Sequence, residues 1–142
     1  VAEIVPVLSE RCVSRPDPKA MQNRLVRLNR IARAAAEQSG RGVLPVVSPP
    51  VTFLPMIEGL QKADLGFACY EGEHEYRLRT LLADIRPQSS IAFFIGPEGG
   101  IAESELELLR EHGLPAVSLG KRILRTETAG LFVLSAISAI LE

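Results

Sequence analysis

A chain of 142 residues with 46% hydrophobic and 23% charged side chains has enough apolar surface for one folded core, and its composition excludes both a disordered and a membrane-buried chain. Two cysteines, Cys12 and Cys69, and two histidines, His74 and His112, are too few and too scattered for a disulfide framework or a zinc site, so no metal and a reducing, cytoplasmic setting are expected. The net charge of −1 is uneven: residues 11–41 hold eight basic side chains against two acidic ones, a local +6, which leaves −7 to the rest. Such a patch attracts phosphates locally, and as a charge run alone it equally fits a solvated helix face.

Residues 1–8 form an apolar run interrupted by Glu3 and Pro6, the pattern of a strand near a sheet edge. Pro16 and Pro18 then interrupt regular structure. Residues 19–38 place Met21, Leu25, Leu28, Ala32 and Ala35 at helical spacing, with Gly40 as the stop. On this helix Arg24, Arg27, Arg30 and Arg33 step by three residues and wind around the polar side. A short run at 44–47, a break at Pro49 and Pro50, and a helix capped by Thr52 follow. Residues 64–70 read as a strand, the acidic 71–75 as a loop, and 77–85 as a short helix ended by Pro87. The SIAFFI run at 90–95 has the character of a strand buried on both faces in a parallel sheet. A helix at 103–111 stopped by Gly113, a strand at 116–119 and a last helix from Thr126 complete the series. The apolar stretch 129–141 is too short to cross a bilayer and reads as a buried helix. Strand and helix alternate, which predicts an α/β fold with a mainly parallel sheet and helices on both faces.

Two stretches at the carboxyl ends of predicted strands are the candidate sites, because open α/β sheets bind ligands there. Gly96, Pro97, Glu98, Gly99 and Gly100 follow Ile95 directly; three glycines permit a sharp turn and close approach to a ligand, and Glu98 offers a carboxylate. The pattern matches neither a P-loop nor a dinucleotide fingerprint, and an ordinary turn is the alternative. The second stretch, 118–129, carries Leu119, Gly120, Ile123 and Leu124 in a loop suited to wrapping a flat ring and reading its edge with backbone groups. Arg125, Thr126, Glu127 and Thr128 lead from it into the last helix, where they equally fit a structural salt bridge and a cap.

The pairing I-G-P-E-G-G at 95–100 with L-G-x-R-I-L-R-x-E-T-A at 119–129 resembles the signature of the methyltransferases that modify N3 of a uridine in small-subunit ribosomal RNA, which belong to the SPOUT superfamily. Pro6, the Ser9, Glu10, Arg11 run, residues 37–41 and Pro45 are similar to further landmarks, so the likeness spans nearly the whole chain. It implies an S-adenosylmethionine cofactor against Ile95, Gly96, Pro97, Glu98, Gly99 and Gly100, with Leu119, Gly120, Ile123, Leu124, Glu127, Thr128 and Ala129 wrapping the adenosine. It also implies a C-terminal deep trefoil knot, no metal, and a homodimer in which the last helix serves core and interface together. Ribosomal RNA is the implied partner, met by Arg11, Arg24, Arg27, Arg30, Arg33 and Arg41. Arg125 is the first candidate for placing the uracil as N3 loses its proton, Gln38 and Arg41 are the further catalytic candidates, and Glu98 and Glu127 orient the loops. Proteins of this kind carry a β-rich RNA-binding domain in front, then a first strand and helix ending in a K-x-x-E-L-G-like turn. This chain starts just beyond that turn, so residues 1–142 are expected to be one methyltransferase domain without its first strand and helix. A ribose 2′-O methyltransferase and a non-catalytic RNA-binding module of the same fold are the alternatives.

Overall fold

The computed structural model describes residues 1–13, 17–83, 85–87 and 89–141, so Arg15 and Pro16 of the basic run and Asp84 of the expected 77–85 helix lie outside the described residues. The chain forms two compact units, Val1–Leu8 with Ser14–Thr52, and Ser9–Val13 with Phe53–Glu142.

The first unit holds β1 (Glu3–Ile4), β2 (Val7–Leu8), α1 (Pro18–Gln38), β3 (Val46–Val47) and β4 (Val51–Thr52). Pro6 divides the opening apolar run, since it has no N–H to give a ladder, although its carbonyl accepts from the Val51 amide at 3.0 Å. The two halves pair separately and in parallel, β1 with β3 and β2 with β4. Pro18 starts α1 instead of interrupting it: the Asp17 carboxylate accepts from the Ala20 amide at 2.9 Å, and proline at the first helical position gives up no hydrogen bond. At the other end Gly40 takes φ 70°, which lets the Arg41 amide return to the Ala36 carbonyl at 2.9 Å and close the helix. Leu25, Ala32 and Ala36 are buried while Ala35 is exposed, so the apolar face passes through Ala36 and not through the expected Ala35. Asn29 fastens α1 to β3, donating to the Val47 carbonyl at 2.9 Å and accepting from the Val47 amide at 3.0 Å.

The second unit contains α2 (Phe53–Gln61), β5 (Leu65–Cys69), α3 (Leu78–Leu81), β6 (Ile91–Ile95), α4 (Glu103–Glu111), β7 (Ala116–Val117) and α5 (Thr126–Leu141). Its three strands form one parallel sheet in the order β6-β5-β7. Phe67 and Phe93 are register partners and stack with centroids 5.7 Å apart, on the face where Leu78, Leu82 and Val133 bring α3 and α5 down onto the sheet. On the opposite face Phe94 meets Phe53 of α2 edge-on at 5.6 Å. Helices therefore cover both faces of a parallel sheet, as the alternating pattern predicts, although the described strands fall into three small sheets and not one.

Four local expectations are corrected. The 90–95 run, expected to be buried on both faces, is β6 from Ile91 to Ile95, at the edge of its sheet among the described strands, and although both faces meet neighbours only Phe94 in it is buried. α2 begins directly after Thr52, where a helix start is expected, but Thr52 is also the last residue of β4 and its hydroxyl makes no capping hydrogen bond among the described residues. α3 spans four residues because Leu82 already ends it. α5 is not a buried helix: Ala129 and Val133 are buried, but Leu131 is 67% exposed, and Phe132 and Ile140 are exposed too.

Replacing Asn29 with alanine leaves both polar groups of Val47 without their side-chain partner, so Asn29→Ala should lower the unfolding free energy by about 1–3 kcal/mol in urea denaturation. A change within about 0.5 kcal/mol would mean that β3 is held on α1 by packing alone.

Candidate functional site

Pairing on both edges of β5 makes the three strands end together: Cys69 is in register with Ile95 on one side and with Val117 on the other. A cavity of about 730 Å³ opens at those carboxyl ends and is built from residues of the second unit alone. The loop after β6 contributes Gly96, Pro97, Glu98 and Gly100, with Ile95 at the strand end. From the segment after β7 come Leu119, Gly120, Ile123 and Leu124, followed by Arg125, Glu127 and Ala129 at the start of α5. The two stretches singled out in the sequence thus line one cavity. Gly99 and Thr128 are the exceptions among them, for neither lines it.

The remaining candidates lie elsewhere. Gln38, Arg41 and the arginines of α1 belong to the first unit. Arg24, Arg27 and Arg30 are exposed there, and Arg33 pairs with Glu37 at 3.0 Å, one helical turn on. Gln38 is the last residue of α1 and Arg41 closes that helix with its amide, which accounts structurally for the backbone of both positions. Arg11 is in the second unit and donates from Nη1 to the Gly99 carbonyl at 3.2 Å.

Local chemistry explains the shape of the loops. Gly100 turns back with φ 73°, its amide donating to Pro97 at 2.9 Å, and a β-carbon there would stand 2.5 Å from a carboxylate oxygen of Glu71. The left-handed backbone angle therefore favours glycine at this position, while the exposed Glu71 carboxylate is the end of a flexible side chain that can move aside. Thr126 links the two stretches by donating from its hydroxyl to the Gly96 carbonyl at 3.3 Å. Glu98 and Glu127, expected to orient the loops, make no hydrogen bond or ion pair among the described residues. The amides of Lys121, Arg122, Ile123 and Leu124 likewise have no partner among the described residues, so the loop presents a row of free donors beside apolar side chains. At its end the Arg125 carbonyl accepts from Thr128 at 2.9 Å and Ala129 at 2.8 Å to open α5. The guanidinium of Arg125 is exposed and, among the described residues, has no ion-pair partner, so the alternative Arg125–Glu127 salt bridge is not formed.

The cavity mixes charges of both signs. Glu71, Glu98 and Glu127 face it together with Lys121, Arg122 and Arg125. Burial pushes the Cys69 thiol up to about 12, so this lining sulfur stays protonated at neutral pH and supplies no thiolate nucleophile. Glu73 shapes the neighbouring acidic loop by accepting from the amides of Tyr76 at 2.9 Å and Glu75 at 2.7 Å, bonds that hold its carboxyl below the usual carboxylate range. Among the described residues no three His, Cys, Asp or Glu side chains are grouped to hold a metal ion, and no helix is long and apolar enough to cross a membrane.

Sequence reasoning missed one wall. Cys69, Tyr70, Glu71 and His74 line the cavity from the end of β5, which had been read only as a strand running into an acidic loop. The rule that placed the other two stretches at strand ends applies to this strand too, and would have found it.

A parallel α/β sheet with a ligand-sized cavity at its strand ends defines a class of small-molecule-binding domain. The model of the RNA methyltransferase domain matches residues 1–138, and the chain belongs to that family. It is 38% identical over 138 residues to ribosomal RNA small subunit methyltransferase E of Synechocystis sp., covering 96% of this chain and 44% of that protein. Among solved structures it is similar to a putative methyltransferase of Legionella pneumophila in complex with S-adenosylmethionine, with a TM-score of 0.86 and 33% identity over 98% of this chain and 55% of that one. A ribosomal RNA small subunit methyltransferase E of Neisseria gonorrhoeae, also bound to S-adenosylmethionine, gives a TM-score of 0.74 and 40% identity over 99% of this chain and 54% of that one. The chain spans about half the length of the curated relatives it matches.

The left-handed turn at Gly100 has a measurable consequence. Gly100→Ala should lower stability by about 1–2 kcal/mol, set by the backbone angle, because the exposed Glu71 carboxylate is the end of a flexible side chain that can swing aside. In a Glu71→Ala background the loss should be nearly the same, so a double-mutant cycle of unfolding free energies should be close to additive; a coupling above about 1 kcal/mol would show that Glu71 is held against the loop.

Proposed function

We propose that this chain is the cofactor-binding, methyl-transferring part of an enzyme that uses S-adenosylmethionine to methylate N3 of a uridine in small-subunit ribosomal RNA. The observation that carries this reading is the joining of the 95–100 and 119–129 stretches around one cavity with free backbone donors and apolar walls. That lining suits the cofactor's parts. Ile123, Leu124 and Leu119 offer apolar contact to an adenine ring, and the amides of residues 121–124 offer donors to its edge. The left-handed turn at Gly100 shapes the loop along the cavity, and Glu71, Glu98 and Glu127 set negative charge for the cationic part of the ligand beside the basic Lys121, Arg122 and Arg125. Relatives with this fold hold the same molecule, which supports the assignment. When bound, S-adenosylmethionine supplies an activated methyl group on a positively charged sulfur.

The chain's own residues have the tasks of holding the uracil and favouring loss of its N3 proton. Arg125 is suited to this: it lines the cavity, is free of ion pairs among the described residues, and sits where the loop passes into α5. Its fixed charge stabilises the deprotonated N3 by a short-range electrostatic attraction. The exposed Arg24, Arg27 and Arg30 supply phosphate contacts for the RNA, with Arg33 partly engaged by Glu37 and Gln38 and Arg41 at the same helix end. We further propose that the domain carries the C-terminal trefoil knot of its superfamily and acts as a homodimer in the cytoplasm, where exposed Leu131, Phe132, Leu134 and Ile140 of α5 supply an apolar surface for the partner subunit.

In an assay with S-adenosylmethionine and small-subunit RNA, Arg125→Ala should lower the methylation rate by about 100-fold or more while cofactor affinity changes far less, the size expected for removing one charge-stabilising donor. Lysine should restore little, since it lacks the planar guanidinium. The methyl group should be recovered on the base; recovery on the ribose 2′-oxygen, or cofactor-free RNA binding without turnover, would refute the reading. Near-parental turnover by folded Arg125→Ala would remove Arg125 from it.

A further inference from the structure

The loop after β6 is gripped from outside the cavity by the segment Ser9–Val13. Gly99 turns away from the cavity toward this segment: a β-carbon on it would stand 3.1 Å from the Arg11 β-carbon and 3.2 Å from the Arg11 carbonyl. The Arg11 guanidinium folds back over the loop and donates to the Gly99 carbonyl at 3.2 Å. Nη1 also lies 3.8 Å from the position a Gly100 β-carbon would take, on the side occupied by Glu71. The segment itself is anchored by a buried carboxylate. Glu105, only 4% exposed, accepts from the Glu10 amide at 2.8 Å with one oxygen and from the Ala102 amide at 3.1 Å with the other. The Ser104 hydroxyl adds a third link, donating to the Glu10 carboxylate at 2.8 Å. Gly99 within the loop, through Arg11, and Ala102 just beyond it, through Glu105, are therefore tied to one strap.

We propose that Arg11 is a positioning residue that sets the 96–100 loop for the cofactor through the Gly99 carbonyl, with Glu105 holding the strap in place, and that it is not one of the phosphate contacts. Arg11 does not line the cavity, so it acts only through the loop. A charge-assisted hydrogen bond to a carbonyl next to the residue with φ 73° fixes the peptide orientation that opens the cavity wall, and loss of that bond lets the Gly99 and Gly100 peptides reorient at little cost. At Gly99 the backbone angle is ordinary and the residue does not line the cavity, so a side chain there would act by pressing on Arg11, which would have to give by a few tenths of an ångström. The proposal rests on the S-adenosylmethionine reading above for its functional consequence, but the loop restraint is observable without any ligand.

The test compares the parent chain with Arg11→Ala, Arg11→Lys and Gly99→Ala by amide hydrogen exchange across 96–102, calorimetric titration of S-adenosylmethionine, and RNA affinity as a function of salt. Arg11→Ala should speed exchange at Gly99 and Gly100 and weaken S-adenosylmethionine about tenfold, the size of one charge-assisted hydrogen bond, while RNA affinity and its salt slope stay put. Arg11→Lys should recover most of both losses, because a single donated bond is being replaced. Gly99→Ala, which keeps the guanidinium but displaces it, should fall between, and carries the test if Arg11→Ala does not fold. Unchanged exchange and cofactor affinity in folded Arg11→Ala would overturn the proposal. So would a weaker RNA complex with a salt slope reduced by about one and an intact cofactor site, since that is the signature of a phosphate contact. Failure of the parent chain to bind S-adenosylmethionine would instead refute the function proposed above, with the exchange data still deciding whether Arg11 restrains the loop.

Discussion

The cavity depends on β5 being hydrogen-bonded along both edges. Five register pairs tie it to β6 and two more tie it to β7, so the last residue of β5, Cys69, faces the last residues of both neighbours. Parallel strands that end in register must release three chain segments at one level, and those segments have nowhere to run except around a common space. Phe67, fully buried at the middle of β5 and stacked on Phe93, fixes that register from one face, while Phe94 against Phe53 fixes it from the other. A slip of one residue would exchange the two faces and put Phe94 where Phe93 belongs. The aromatic pairs thus work for the site as much as for the core.

Stable strands leave the loops to be fixed by polar contacts, and these are few and local. One hydroxyl, that of Thr126, joins the two cavity stretches; one guanidinium, that of Arg11, holds the back of the glycine loop; one buried carboxylate, Glu105, serves the strap behind it. The acidic and basic side chains that face the cavity are almost all unpaired among the described residues, which keeps them available for a ligand carrying both signs of charge. A site arranged in this way is held in shape by its backbone, and its charged side chains are left to recognition.

Much of this was legible in the sequence. Apolar spacing together with caps and Gly or Pro breaks located the five described helices and the main strands, and Gly40 and Gly113 marked the ends of two helices through the left-handed turn that favours glycine. The two motifs that line the cavity were readable because glycines after a continuous apolar strand are informative. Other features were not, for identifiable reasons. Apolar run length does not report how deeply a strand is covered, so β6 reads as buried on both faces although only Phe94 is buried, and Tyr70, Glu71 and His74 at the end of β5 read as a plain acidic loop. Pro18 reads as a breaker until Asp17 is seen capping the turn it begins. Hydrophobicity alone made α5 a buried helix, whereas one face of it is exposed in the single chain. Arg11 looks like one more cation in a basic run, and only the fold shows that its charge is directed at a backbone carbonyl.

Titrating S-adenosylmethionine into isotopically labelled chain and following backbone amide resonances tests most directly whether the 95–100 and 119–129 stretches form one cofactor site. One saturable site per chain is predicted, with the large shifts at Gly96, Gly100 and the free amides of Lys121, Arg122, Ile123 and Leu124, and with α1 left in place. Absence of saturable binding, or shifts confined to α1 and its strands while both loops stay silent, would contradict it.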